Sequence, residues 1–174
     1  MESLGKISMK YVRNFVSDYC VLDLETTGLS PDSCQIIEIG VLKVRDGQVV
    51  DSFCQLVRPT CMISSFITSL TGISNEMVKN CLTIDEVVPS LLDFIGSDLL
   101  VGHNMKFDLS FLSRVVSLSN SYSDTLHLSQ RYLQLPSYKL SYLQSYLGLS
   151  KNTHRSLADC QTTYELYEYL KRFS

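Results

Sequence analysis

No apolar run in this chain of 174 residues reaches the roughly 18 residues of a membrane-spanning helix, so no membrane partner is expected. The opening stretch "MESLGKISMKYVRNFVSD" carries charges at Glu2, Lys6, Lys10, Arg13 and Asp18 and lacks the continuous apolar core of a signal peptide. Six cysteines (Cys20, Cys34, Cys54, Cys61, Cys81 and Cys160) contain no C-x-x-C pair, which argues against a zinc site. Most fall within apolar patterns, as buried free thiols do in a reducing, cytoplasmic compartment. A long basic run is also missing, and the net charge is −3. That excludes a duplex binder working by broad phosphate neutralisation, while leaving room for a protein that grips a few nucleotides. Repeats, low-complexity tracts and interdomain linkers are absent too. With 45% apolar and 19% charged residues, the chain reads as one soluble domain with a single sizeable core.

Residues 1–17 read as a lead-in segment and residues 18–174 as a single domain. In the lead-in, Leu4, Ile7, Tyr11 and Phe15 follow helical spacing, which predicts an amphipathic helix. Strands are predicted over Tyr19–Leu24, Gln35–Val44 and Gln48–Val57. Asp46-Gly47 is a tight-turn signal that makes the second and third antiparallel. A short helix over Ser64–Leu70 follows. Thr83 and Glu86 then stand at capping-box spacing before a helix to Ile95, in which Pro89 predicts a kink or a late start. Asp98–Gly102 predicts a fourth strand, Phe107–Leu118 a helix, and "SYSD" a brief fifth strand ending at Asp124. The last third is helical: Thr125–Tyr132, Lys139–Leu147 with Gly148 as cap, and Ser156–Phe173. This order predicts an α/β fold, a mixed sheet flanked by helices.

"VLDLETTGL", Val21 to Leu29, places two carboxylates in a run that otherwise reads as a buried strand. Side chains alternate along a strand, so Asp23 and Glu25 point to the same face. Burying an unpaired carboxylate costs several kcal/mol, and no basic residue lies nearby in sequence. A divalent cation resolves the difficulty, since hard cations such as Mg²⁺ take oxygen ligands. Three further acids stand at element ends. Asp108 and Asp124 each have two readings, helix N-cap or functional carboxylate. Asp159 reads as a solvated first-turn carboxylate or as a ligand. If three or four of these converge, two metals about 3.5–4 Å apart can stabilise both oxygens of a phosphoryl displacement. His154, on a predicted loop five residues before Asp159, adds an imidazole, whose ordinary pKa near 6.5 suits it to take a proton from water. His127, within a predicted helix, reads as structural.

Three motifs in order resemble the DnaQ-like 3′→5′ exonucleases of the DEDDh group. They are "LDLETTGL", "GHNMKFDLSFL" and "HRSLADC", and the resemblance covers roughly residues 19 to 170. "LTGIS", "DTLHLSQRYL" and "SYKLSYLQSYLGL" resemble connecting segments of the bacterial branch. The resemblance implies an RNase H-like fold with a mixed five-stranded sheet containing one antiparallel strand. It implies Asp23, Glu25, Asp108 and Asp159 as ligands of two divalent cations, Mg²⁺ or Mn²⁺, His154 as general base, and a supporting role for Asp124. Thr26, Thr27, Gly28 and Leu29 would hold the terminal nucleotide. Ile73 and Leu29 would wedge against its base, with Phe107 lining the pocket beside His103 and Asn104. At Thr71 some relatives carry His; a hydroxyl can reach substrate there but holds no positive charge.

The expected activity is removal of nucleoside 5′-monophosphates from the 3′ end of single-stranded or frayed DNA, as a proofreading or repair nuclease. With no polymerase module in the chain, fidelity work would need a polymerase subunit as partner. One rival is an exoribonuclease trimming RNA 3′ ends, told apart by contacts to the 2′-hydroxyl. The other is a non-catalytic nucleic-acid- or polymerase-binding module on the same fold, against which the intact set Asp23, Glu25, Asp108, His154 and Asp159 counts.

Overall fold

The computed structural model describes residues 9–174. Five strands form one sheet: β1 (Tyr19–Thr26), β2 (Ile36–Arg45), β3 (Gln48–Leu56), β4 (Leu99–Gly102) and β5 (Tyr122–Asp124). Their spatial order is β3-β2-β1-β4-β5. β2 runs antiparallel to both β1 and β3, whereas β1, β4 and β5 pair in parallel. The single antiparallel strand of the expected fold is therefore β2. Its turn into β3 has positive φ at both Asp46 (50°) and Gly47 (72°), the mirror-image turn whose twist matches the flanking strands.

Seven helices cover the sheet: α1 (Ser65–Thr71), α2 (Asn75–Val78), α3 (Ile84–Ile95), α4 (Met105–Leu112), α5 (Thr125–Tyr132), α6 (Leu140–Leu147) and α7 (Ser156–Leu170), with a 3₁₀ turn at Lys171–Phe173. Alternation along β1 sorts the core into two layers. Cys20, Leu22 and Leu24 pack with residues of α3 and α4 on one face. Tyr19 and Val21 pack with residues of α5, α6 and α7 on the other. Asp23 and Glu25 continue the second series, so both carboxylates belong to the face that α7 covers.

α7 can approach because β2 has Gly40 beneath it. A Cβ there would fall 2.6–2.7 Å from Ser156 atoms, including its backbone carbonyl carbon. The Cys160 thiol, fully buried, lies 3.6 Å from the Val21 carbonyl and 3.4 Å from that of Gly40. These contacts seat the first turns of α7 directly over β1 and β2.

Three local expectations are corrected. Residues 9–17 contain no helix; the rest of the proposed lead-in helix lies outside the described residues. Instead, the segment runs beside β5: Val12 N–H donates to the Tyr122 carbonyl at 2.8 Å and Tyr122 N–H to Lys10 at 2.9 Å. Tyr11 and Phe15 pack on Tyr122, Tyr132 and Tyr167, so their apolar spacing serves an extended strap over a sheet edge. α3 starts at Ile84 and runs through Pro89. Pro89 is exposed, and Glu86 accepts the Thr83 N–H at 2.8 Å, so the start is capped as the spacing predicts. α4 ends at Leu112, six residues before the predicted Leu118. The chain turns back there so that Leu118 joins the core and the buried Asn120 amide donates to the carbonyls of Gly96 and Asp98.

Candidate active site

Asp23, Glu25 and Asp159 each offer a carboxylate oxygen, and the three oxygens lie within 4.8 Å of one another. Two come from the α7-facing side of β1 and the third from the first turn of α7. Asp108, 4% exposed in the first turn of α4, accepts the Leu24 backbone N–H at 3.1 Å. That bond ties α4 to β1 beside Asp23 and leaves the second oxygen of Asp108 uncommitted to it. Asp108 is thus not an N-cap; Asn104 holds that position.

These acids raise one another's pKa. Burial is the largest cause throughout, followed for Asp23 by the charges of Asp108 and Asp159, and for Glu25 by those of Asp159 and Glu38. Asp23 is held well above the carboxylate range, and Glu25 is pushed up to about 8. Burial takes Asp108 to about 8 despite the Leu24 hydrogen bond. Asp159 is raised by burial, with opposition from the Thr153 N–H (3.0 Å) and from His154. A group of oxygen donors that resists ionisation on its own is a fitting seat for hard divalent cations.

His154 is exposed in the loop before α7, with φ of 52°. Asn104 has φ of 63°. Left-handed backbone at non-glycine residues is uncommon and clusters at functional sites. Both line an open cleft of about 720 Å³ together with Asp23, Asp159 and His103. Burial lowers the pKa of His103, favouring the neutral ring. Its Nε2–H donates to the Tyr138 carbonyl at 2.8 Å, and its Nδ1 lies 2.9 Å from the Thr125 hydroxyl, whose single proton serves either Nδ1 or the Gly102 carbonyl at 3.1 Å. His103 therefore tethers the segment before α6 to the start of α5.

Asp124 does form an N-cap, and more. It accepts Leu126 N–H at the start of α5 (2.9 Å) and also Asn104 and Met105 N–H at the start of α4 (2.9 and 3.0 Å). One buried carboxylate fixes two helix N-termini beside the cleft.

The segment after Glu25 is held by its own polar groups. Thr26 donates to the Gly28 carbonyl at 2.7 Å, and Thr27 Oγ1 accepts Gln35 N–H at 2.9 Å. Gly28 lies against Cys34, whose Sγ would be 2.6 Å from an added Cβ. Leu29 projects outward, 85% exposed. Phe107 is half-buried against Phe111. Thr71 and Ile73 are placed differently from the other expected substrate residues. Thr71 is buried, its hydroxyl donating to the Ile67 carbonyl and accepting from Ile73 N–H. Ile73 is fully buried among Ile37, Ile63, Ile67 and Val78.

The sequence profile of the RNase T type, described as "Exonuclease", matches residues 20–167. The chain belongs to this exonuclease family. It is 40% identical over 164 residues to a DNA polymerase III PolC-type of Clostridium perfringens, an alignment covering 90% of this chain and 11% of that protein. The exonuclease chain therefore spans about a ninth of that relative. Exonuclease X in complex with 5′ overhanging duplex DNA superimposes with a TM-score of 0.78 at 28% identity, covering 90% of this chain and 92% of the other. The nuclease domain of 3′hExo, a DEDDh family member bound to rAMP, gives 0.76 at 23% identity, covering 92% and 95%. The mixed α/β sheet is thus that of the RNase H-like exonucleases.

A sixth carboxylate near the site is absent from the sequence reading. Glu38 on β2 stands opposite Glu25 and is 1% exposed. Arg155 grips it through Nε (3.1 Å to each oxygen) and Nη2 (2.5 Å), and Ser156 N–H donates to it at 2.9 Å. Burial alone would raise its pKa, but these donors outweigh burial and hold it low. Glu38 thereby fixes the residue after His154 and the first residue of α7. The signal was present in "IIEIG", a carboxylate between isoleucines in a buried strand, the same conflict that singled out Asp23.

Proposed function

We propose that the chain is a 3′→5′ exonuclease that removes nucleoside 5′-monophosphates from the 3′ end of single-stranded or frayed DNA. The observation that carries this reading is the convergence of Asp23, Glu25 and Asp159 within 4.8 Å, with Asp108 tied to β1 through the Leu24 N–H. In this reading the four carboxylates hold two divalent cations, Mg²⁺ or Mn²⁺. When bound, such ions supply charge stabilisation for the attacking and leaving oxygens of the displacement.

The chain's own residues do the rest. His154 takes the proton of the attacking water at its imidazole, as the water oxygen bonds to phosphorus and the bond from phosphorus to the 3′ oxygen breaks. The penultimate nucleotide leaves through its 3′ oxygen, which takes a proton from solvent to become a free 3′-hydroxyl. Asp124 and His103 position Asn104 and the α6-side wall of the cleft. The segment Thr26–Leu29, Asn104 and Phe107 bind the terminal nucleotide, with Leu29 against its base. Ile73, buried among Ile37, Ile63, Ile67 and Val78, supports the fold rather than the base.

The PolC-type relative contains its matching segment within a much longer chain, which supports a proofreading role beside a polymerase. Among the described residues no helix is long and apolar enough to cross a membrane, and all six thiols are free, which supports a cytoplasmic site of action.

The test uses a 3′-labelled single strand, its RNA counterpart and a closed circular single strand, each with Mg²⁺, Mn²⁺ or chelator. Stepwise shortening of the linear DNA, abolished by chelator, is expected. Faster loss of the RNA would move the assignment to an exoribonuclease, and degradation of the circle would sink the exonuclease reading.

A further inference from the structure

On the neighbouring face of α5 from the catalytic cleft lies a second cavity, of about 520 Å³, lined by Tyr11, Arg13, Lys106, Tyr122, His127 and Arg131. We propose that it binds the upstream part of a single-stranded nucleic acid whose 3′ end occupies the catalytic cleft. The proposal takes its polarity from the exonuclease reading and goes beyond it in assigning a strand-binding surface outside the site.

Four features carry it. In a chain of net charge −3, three permanent cations and a histidine converge on one cavity. Among the described residues, Arg13, Lys106 and Arg131 are in no salt bridge, and all three are exposed, so their charge is free for phosphate. Two tyrosines stand among them, with ring centroids 5.5 Å apart, and His127 meets Tyr11 edge-on at 5.9 Å. Cations tracking a backbone beside aromatic faces that accept bases are the chemistry of single-strand recognition, and are more than a free phosphate needs.

The fourth feature is placement. On α5, Leu126 and Gln130 face the catalytic cleft, whereas His127 and Arg131, one residue further round in each turn, face the cationic cavity. Lys106 follows Asn104 and Met105 at the start of α4, and Asp124 holds α4 and α5 together there. A strand leaving the catalytic cleft therefore meets the cations on the adjacent face of the same helix.

The experiment compares the wild type with Arg13→Gln/Arg131→Gln. Equilibrium binding of a labelled oligo(dT) is measured by fluorescence anisotropy in chelator, as a function of salt. Hydrolysis of the p-nitrophenyl ester of thymidine 5′-monophosphate, which has no upstream strand, is measured with Mn²⁺. The double variant should bind the oligonucleotide on the order of tenfold more weakly. Its salt slope should fall by about 0.7 for each cation removed, while ester hydrolysis is unchanged. Arg13→Lys/Arg131→Lys should restore the affinity, as it could not if the loss came from misfolding. Equal oligonucleotide affinity and salt slope in wild type and double variant would overturn the proposal. A wild type that hydrolyses no ester but binds the strand through Arg13 and Arg131 would refute the nuclease reading and leave the cavity's assignment standing.

Discussion

Glu25 and Glu38 face each other across β1 and β2, yet their environments oppose them, and this sets up a test in metal-free protein. Glu25 has a folded pKa of about 8, against an ordinary value near 4.3. Between those values the native state binds the proton that the unfolded chain has lost, so stability falls as pH rises. At pH 7 the interval covered is about 2.7 units, or about 4 kcal/mol at 1.36 kcal/mol per unit, as an upper limit. Asp159 and Asp108 share the same repulsion, so removing one acid relieves only part of it. Glu25→Gln should therefore stabilise the metal-free protein by about 1–2 kcal/mol, a Tm rise of about 2–8 °C for a domain of this size. Glu38 has the opposite sign. Its lowered pKa means that its contribution is present above the ordinary carboxylate pKa and is lost as pH falls through the folded value. Glu38→Gln should lower Tm at neutral pH, and the deficit should close on acidification. Calorimetric melts in chelator from pH 8 down through the acid range, below the ordinary carboxylate pKa, read both arms. If Glu25→Gln melts at or below the wild type at pH 7.5, the acids do not strain the fold as argued.

Three other predictions follow from the same geometry. His154→Ala should keep its divalent-ion binding by titration calorimetry but lose about 10²–10⁴-fold in kcat, with a flattened acidic limb; a wild-type rate and limb would make His154 structural. Asp23→Asn should abolish the nuclease activity and weaken Mn²⁺ binding while folding normally, and undiminished site-specific binding would refute its assignment. Asp124→Ala strips acceptors from three backbone N–H groups at two helix starts. It should cost about 2–4 kcal/mol at a typical 1–3 kcal/mol per buried unsatisfied donor, less whatever water supplies, and a change under 0.5 kcal/mol would show that the double cap matters little.

Much of this was legible because it rests on local periodicity. The Asp46-Gly47 hairpin, the start and end of α5, and the common face of Asp23 and Glu25 follow from turn chemistry and alternation alone. The partners of those carboxylates required motif order, because Asp108 and Asp159 reach β1 only through the packing of α4 and α7. The conflict at Glu38 is visible in "IIEIG", but its resolution is not, because Arg155 lies 117 residues away and no local rule pairs them. The extended strap was misread as a helix because Tyr11 and Phe15 satisfy helical spacing equally well when they pack on Tyr122 and Tyr167. Thr71 looked available to substrate because burial of a hydroxyl at a helix end leaves no mark in sequence.

The seating of α7 over β1 and β2 also fixes when the site comes into being. Its carboxylates span residues 23 to 159, and the last to emerge in synthesis joins the first strand made. A nascent chain that has reached only Leu149 already contains every strand of the sheet and three of the four acids. Those acids then wait beneath an uncovered face, with Gly40 and the Val21 carbonyl open to solvent. Contacts so distant along the chain carry a high loop-closure cost and form slowly. Nuclease competence is accordingly a late event in the life of the polypeptide, and appearance of activity during refolding should track docking of α7 and lag behind formation of the hairpin.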